Sequence, residues 1–309
     1  MPKFSVVVPL FNKEKYIEKT INSILIQTFT NYELIIIDDG STDNSLAIAK
    51  QFHDDRIVIY EQSNVGTTST RNNGVKYSNS DFVVFLDADD EWTTEYLETI
   101  DSLVSKFPEA NMFSTAYWIK YGNDRIKYSN RAPSEEPELL NFWSSLLNAY
   151  DVVLPTITTI RKQAIISAGY FAPGEKTGGD LDLFSRIASS NTYIAYSHKR
   201  CGYWNKSADN NNRTRNPIAN ASSFMKQLFI ESEKMHTPEE IAGIKHKYKL
   251  KMIVYIYTTI VFGEATKARE LLGQWNFADS IIIKTMLYCA SYLPKRINIS
   301  VYSLRMQVY

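Results

Sequence analysis

Four times in the first ninety residues a short β-branched run stops at a polar or acidic cluster and gives way to helix signals. Phe4 to Val8 is closed by Pro9 and followed by Asn12, a residue type suited to a helix N-cap. Ile17, Ile21, Ile24 and Leu25 then share one helical face. Leu34 to Ile37 ends at Asp38-Asp39-Gly40-Ser41, with a helix expected over 43–53 and Ser41 or Thr42 as its cap. Ile57 to Tyr60 precedes a helix expected over 67–77. Phe82 to Leu86 runs into Asp87-Ala88-Asp89-Asp90 before Thr93 or Thr94 opens another helix. Strands alternating with helices predict βαβ units and a mostly parallel sheet. Ligands bind such sheets beyond the carboxyl ends of the strands, where Pro9 to Asn12, Asp38-Asp39, Asn64 and Asp87 to Asp90 would converge.

The rest of the chain is less regular. Strands are expected at Met112 to Trp118, Thr156 to Ile160 and Tyr193 to Tyr196, and helices at Leu139 to Leu147, 162–168 and Asp180 to Ser189. Residues 129–138, 172–179 and 205–216 read as loops, the second of them mobile, and helix signals dominate from 217. With 44% hydrophobic and 22% charged residues, extensive disorder is excluded. The 34 basic and 34 acidic residues cancel, which argues against a globally basic nucleic-acid binder. The balance hides an asymmetry: residues 1–195 carry 17 Lys/Arg against 26 Asp/Glu, and residues 196–309 carry 17 against 8. Cys201 and Cys289 make neither a disulfide framework nor a zinc site, which fits a reducing compartment. No signal peptide is expected, and Ile281 to Leu293, interrupted by Lys284, is too short to span a bilayer.

Three clusters carry chemistry. Asp87 and Asp89 at a strand end can share one hard divalent cation with a diphosphate; alone, such a pair is more often a solvated turn with Asp90 as a helix cap. Asp38-Asp39 can accept from a base N–H or a ribose hydroxyl, or simply make a turn. Arg71, inside a helix that starts near a glycine, has the planar fork that suits a diphosphate, against the reading of an ordinary surface arginine.

Together these stretches resemble the family 2 glycosyltransferases of the GT-A fold. The matching segments are Val6 to Asn12, Ile37 to Asp43, Asn64 to Gly74, Phe85 to Asp90, and Thr177 to Leu183 through Arg186. The resemblance covers about residues 3–205 and implies an α/β fold with a Rossmann-like, nucleotide-binding, mostly parallel sheet. On it, residues 1–216 form a catalytic domain, with a nucleotide-sugar half to about 110 and an acceptor half from 111, and 217–309 a helical C-terminal region. It further implies that Pro9 and Asn12 line the nucleotide pocket, Asp39 holds the base, Arg71 approaches the nucleotide or diphosphate, Asp87 contacts the ribose or the metal, Asp89 ligates Mn²⁺ or Mg²⁺, and Asp180 is the catalytic base. Two departures stand out: Gly179 replaces the Glu usual before that Asp, and Tyr203-Trp204-Asn205 lacks the family's late His. His198 is then a candidate third metal ligand, though a lone His near a strand is more often structural.

The resemblance implies inverting transfer of single sugars from a nucleotide-sugar, by analogy a UDP-sugar, to a glycan or lipid-linked saccharide of a bacterial surface. The motif of processive synthases is absent. A nucleotidyltransferase and a catalytically impaired nucleotide-sugar-binding module are the alternatives. Ile253, Ile256, Tyr257 and Ile260 share a face, flanked by Lys245, Lys247, Lys249, Lys251, Lys284, Lys295, Arg296 and Arg305. Such helices either pack on the catalytic domain or on a second subunit, as in a homodimer, or hold a cytoplasmic enzyme peripherally on an anionic membrane surface.

Overall fold

The computed structural model describes residues 1–121, 125–128, 134, 136–146, 152–175, 178–206, 227–228, 230–231, 234, 236–261, 265–273 and 281–292. The chain begins with β1 (Phe4–Leu10), α1 (Ile17–Leu25), β2 (Tyr32–Asp38), α2 (Ser45–Ala49), β3 (Ile57–Glu61), α3 (Thr67–Tyr77) and β4 (Phe82–Phe85). Next come β5 (Glu91–Trp92), α4 (Tyr96–Lys106), β6 (Met112–Tyr121), β7 (Arg125–Tyr128), β8 (Glu138–Asn141) and α5 (Phe142–Ser145). A 3-10 turn at Pro155–Ile157 leads to β9 (Thr158–Arg161), α6 (Lys162–Ser167), α7 (Gly179–Ala188) and β10 (Tyr193–Asn205). The described helices that follow are α8 (Pro238–Val261), α9 (Ala265–Gly273) and α10 (Ile281–Ala290).

One mostly parallel sheet runs β3-β2-β1-β4-β9-β6-β10-β5, with β7 beside β6 and β8 beside β10. The first four strands pair in parallel, and β9 is inserted antiparallel between β4 and β6. From β1 the chain steps outward to β2 and β3, then returns to the other side of β1 as β4. The crevice beyond β1 and β4 is therefore the switch point at which such sheets take ligands.

Period-two side-chain alternation splits the apolar strands between two cores. Phe4, Val6, Val8, Leu34, Ile36 and Val84 meet Ile17, Ile21, Ile24 and Ile100; Val7, Ile35, Ile37, Val83 and Phe85 meet Val75, Leu183, Phe184 and Ile187. Each such side chain contributes about 1.5–3 kcal/mol by burial. The helix α3 rides directly on β1, because a Cβ at Gly74 would fall on the Val7 side chain.

Several local expectations are corrected. β1 continues through Pro9, paired with Ile37, to Leu10. Pro9 has no N–H, and it faces the side of β1 on which β4 has already ended, so no ladder bond is lost. Asn12 does not cap α1, whose N-cap is Tyr16; α2 is confined to Ser45–Ala49 and is capped by neither Ser41 nor Thr42. Leu139 to Asn141 is strand, not helix, because β10 offers it an antiparallel partner, and only Phe142–Ser145 turns helical. β10 is longer than expected and keeps its register with β6 by irregularities around Arg200. Asp90 is not a helix cap; α4 starts after Glu95.

The shared face of α8 is used internally. Ile256 and Ile260 bury against Ala268, Leu272 and Leu287, with Ile253, Tyr257 and Leu271 packed around them. The Asn141 amide donates to Glu240 Oε1 at 2.7 Å, tying α8 to the sheet's edge. Leu293, Lys295, Arg296 and Arg305 lie outside the described residues, as do Arg213 and Arg215 of the loop expected over 205–216. Among the described residues no helix is long and apolar enough to cross a membrane.

Candidate active site

A cleft of about 880 Å³ opens at the switch point, and Pro9, Asn12, Asp39, Arg71, Asp87, Asp89 and Asp180 all line it. Lys13, Thr68, Thr156 and Glu175, not anticipated as site residues, line it too.

The walls are built by side-chain ties between turns remote in sequence. Asn12 takes a left-handed conformation (φ 51), which a short polar side chain tolerates. Its N–H donates to Ser41 Oγ at 3.1 Å and its Oδ1 accepts from Thr42 N at 2.7 Å, so it staples the turn after β1 to the turn after β2. Asp39 closes the loop before α3. Its Oδ1 accepts from Gln62 Nε2 at 2.7 Å and Val65 N at 2.9 Å, and its Oδ2 accepts from Gly66 N at 2.9 Å. Gly66, at φ 87, then admits the chain to α3.

Arg71 and Asn72 look two ways from the same turn of α3. Arg71 Nη2 donates to Asp87 Oδ1 at 2.5 Å, while the guanidinium lies 5.6 Å from the centre of the Phe171 ring. Asn72 exchanges hydrogen bonds with the Phe171 backbone, which begins the loop leading to α7.

In the acidic turn after β4, Asp89 Oδ2 accepts from Lys13 Nζ at 2.6 Å. Burial pushes the Asp89 carboxyl above the usual range, with Lys13 opposing and Asp87 adding to the shift. Asp90 is buried, accepts from Asn205 N at 2.8 Å and is bonded by Thr156 Oγ1, which locks the turn to β10 and to the 3-10 turn. Burial, reinforced by Asp89 and Asp87, holds Asp90 well above the ordinary carboxylate range.

Gly178 (φ 77) caps the start of α7, and Asp180 is the second residue of that helix. Asp180 makes no hydrogen bond or ion pair among the described residues. Asp182 is its contrast, because it does not line the cleft: it is buried, and its Oδ2 accepts from Arg186 Nε at 3.1 Å and Nη2 at 2.7 Å. The same guanidinium holds the Ala168 and Tyr170 carbonyls. Asp182 is thus a structural clasp. Gly179 has a packing reason: a Cβ there would lie 2.9 Å from Thr68 Cγ2 and 3.3 Å from Glu175 Cβ. The N-termini of α3 and α7 meet side by side, and both open into the cleft. Their unsatisfied N–H groups make this wall suited to anions.

His198 does not join the acidic turn; its Nε2 sits 2.9 Å from Glu138 Oε1, outside the cleft lining. No group of three or more His, Cys, Asp or Glu side chains is placed to hold a metal among the described residues. The donor set still fits a hard cation. Asp87 and Asp89 are oxygen donors, and Mg²⁺ and its like are held through one or two carboxylates with substrate phosphates completing the shell.

The sequence model of glycosyl transferase family 2 matches residues 5–165, just over half of the chain. Glycosyltransferase GlyA of Streptococcus pneumoniae is 41% identical over 100 residues, covering 32% of this chain and 14% of that protein. The GalNAc(5)-diNAcBac-PP-undecaprenol beta-1,3-glucosyltransferase of Campylobacter jejuni is 36% identical over 145 residues, 45% of this chain and 46% of that one. The chain thus spans less than half the length of these curated relatives. Among solved structures, S. aureus TarS 1-349 in complex with UDP-GlcNAc superimposes with a TM-score of 0.61 at 19% identity, covering 96% of this chain and 82% of that one. A mannosyltransferase of Pyrobaculum calidifontis with GDP-Man and Mn²⁺ gives 0.59 at 16% identity, again covering 96% and 82%. These likenesses establish the fold, GT-A as the motifs implied, and with the match over residues 5–165 the chain belongs to glycosyltransferase family 2.

Proposed function

We propose that the protein is an inverting, divalent-cation-dependent glycosyltransferase. It would move one sugar from a nucleotide-sugar, by preference a UDP-sugar, to a hydroxyl of a glycan or lipid-linked saccharide in bacterial surface polysaccharide synthesis. One observation carries the reading. A cleft at the sheet's switch point gathers Arg71, two helix N-termini, the Asp87/Asp89 pair and the unpartnered carboxylate of Asp180 in one lining. The names of two relatives support the setting: the lipid-linked glucosyltransferase of C. jejuni and a putative teichuronic acid biosynthesis glycosyltransferase of Bacillus subtilis.

In this reading Pro9 and Asn12 line the nucleotide pocket, and Asp39, besides closing its loop, holds the base. Asp89 holds Mg²⁺ or Mn²⁺, with Asp87 contacting the ribose or the same ion. A bound cation supplies charge neutralisation for the leaving diphosphate. Arg71 and the N–H groups of α3 and α7 add preorganised positive charge to the same oxygens. Asp180 takes the proton of the acceptor hydroxyl as its oxygen bonds to the anomeric carbon and the bond to the diphosphate breaks. A single displacement of this kind inverts the anomeric configuration.

The test is NMR of reactions with UDP-, GDP- and dTDP-sugars, each with Mg²⁺ or Mn²⁺, with and without saccharide acceptors. Nucleoside diphosphate and a product of inverted configuration are expected. Retention would overturn the mechanism, pyrophosphate release would point to nucleotidyl transfer, and binding without turnover would leave a binding module.

A further inference from the structure

Two of the three carboxylates of the acidic turn, Asp87 and Asp89, are neutralised by two different kinds of cation. Asp87 is paired with Arg71, whose side chain is 8% exposed, rises from the interior of α3 and lies against the Phe171 ring. That guanidinium is fixed by its surroundings. Asp89 is paired at 2.6 Å with Lys13, which comes from the loop after β1, and both side chains keep access to solvent at 16% and 17% exposure. The backbone of Lys13 is anchored, since its N–H donates to Ser45 Oγ at 2.6 Å. Its ammonium is a compact, hydrated charge on a flexible four-carbon stem, which can change partners where a clamped guanidinium cannot.

A divalent cation on Asp89 and an ammonium at hydrogen-bond distance from the same carboxylate repel one another. Resting on the donor and metal reading above, we infer that Lys13 is the resident counter-ion of Asp89. The incoming divalent cation displaces it, and the displaced ammonium moves onto the donor diphosphate. The exchange replaces one ion pair by two and leaves neither Asp87 nor Asp89 without a counter-charge at either stage. Cation and nucleotide therefore bind with positive coupling, and by linkage each strengthens the other by the same factor. Lys13 is a positioning residue here: it sets when the cation site opens.

The test is Mn²⁺ binding to the full chain, read from the paramagnetic resonance of the free ion, alone and with saturating UDP. Lys13→Gln and, as a second uncharged variant, Lys13→Met are expected to bind Mn²⁺ about tenfold more tightly than the unmodified chain without nucleotide, within the usual range of coupling between sites. UDP should tighten Mn²⁺ binding by a similar factor in the unmodified chain and in Lys13→Arg, and by little in the uncharged variants. Asp89→Asn should bind none in either condition. If both uncharged variants bind Mn²⁺ no better than the unmodified chain while Asp89→Asn loses it, the counter-ion role is overturned and the metal site stands. Binding that survives Asp89→Asn, or that is missing in every variant, overturns the metal reading and the inference together.

Discussion

Asn72 and Phe171, ninety-nine positions apart, exchange two hydrogen bonds of 2.9 Å: the Asn72 amide donates to the Phe171 carbonyl and accepts the Phe171 N–H. The Phe171 ring stands edge-on to Phe85 of β4, 5.1 Å between centres, and under the guanidinium of Arg71. One residue thus couples the loop that leads to Asp180 with the helix that carries Arg71 and the strand that ends at the acidic turn.

Asn72→Ala should therefore act on both stability and transfer. It strands a buried carbonyl and a buried N–H, at about 1–3 kcal/mol for each group left unpaired. The urea midpoint should fall, and sugar transfer should fall further than donor affinity. Equal losses in both, measured by kinetics and calorimetry, would show that the loop is not positioned by this clamp.

Asp180→Asn should keep donor binding and lose roughly a hundredfold or more in transfer, the scale of general-base catalysis. Asp182→Asn should do the reverse, lowering the unfolding midpoint by breaking the clasp with Arg186 while sparing turnover per folded molecule. A near-normal rate in Asp180→Asn would require another base.

Restoring the family's usual Glu should not improve this chain. Gly179→Glu forces a Cβ to 2.9 Å from Thr68 Cγ2, an overpacking of about 1–3 kcal/mol. Adding Thr68→Ser removes that methyl and should recover most of the loss. A double-mutant cycle with no coupling would discard the steric account.

The Arg56 hydrogen bonds hold the Asp54 carboxyl down at about 2. A depressed carboxylate stabilises the fold above its unfolded value near 4 and loses that contribution as pH falls towards 2. Both side chains keep about a quarter of their surface in water, so the effect is small, about 0–1 kcal/mol. Urea midpoints of Asp54→Asn and the unmodified chain should differ at neutral pH and converge by about pH 2; a gap that persists there would assign the effect elsewhere.

Attachment to an anionic membrane is proposed through α10 and the turn after it, where Met286, Tyr288 and Tyr292 are exposed, because the apolar face of α8 is already covered. Co-sedimentation with anionic vesicles should exceed that with neutral ones and weaken with salt. Met286→Glu with Tyr292→Glu should reduce it; equal recovery on both vesicle types would leave the helices as a packed appendage.

The bounds of α3 and the convergence of the strand-end clusters were readable because they depend on local periodicity and on one topological rule. What was not readable depends on partners far along the chain. Asn12 has the composition of a helix cap, and only Ser41 and Thr42, some thirty positions on, turn it into a staple. Leu139 to Asn141 looks helical until β10 pairs with it. Lys13 carries no motif of its own, and Asp89 reaches it across seventy-six positions. Asp180 and Asp182 are chemically alike in sequence; the turn at Ala168–Tyr170, clasped through Arg186, separates their roles.

The late arrival of β9 between β4 and β6 shapes how the chain must be made. Val83 pairs with Ile160 and Val84 with Thr159, so β4 keeps an open edge until residue 161 has left the ribosome. Chains fold as they emerge, and unpaired strand edges are the sites at which they associate wrongly. Nascent chains stalled between β4 and β9 should therefore depend on a chaperone at that edge, and truncations ending before residue 158 should aggregate although every acidic turn of the cleft is already present.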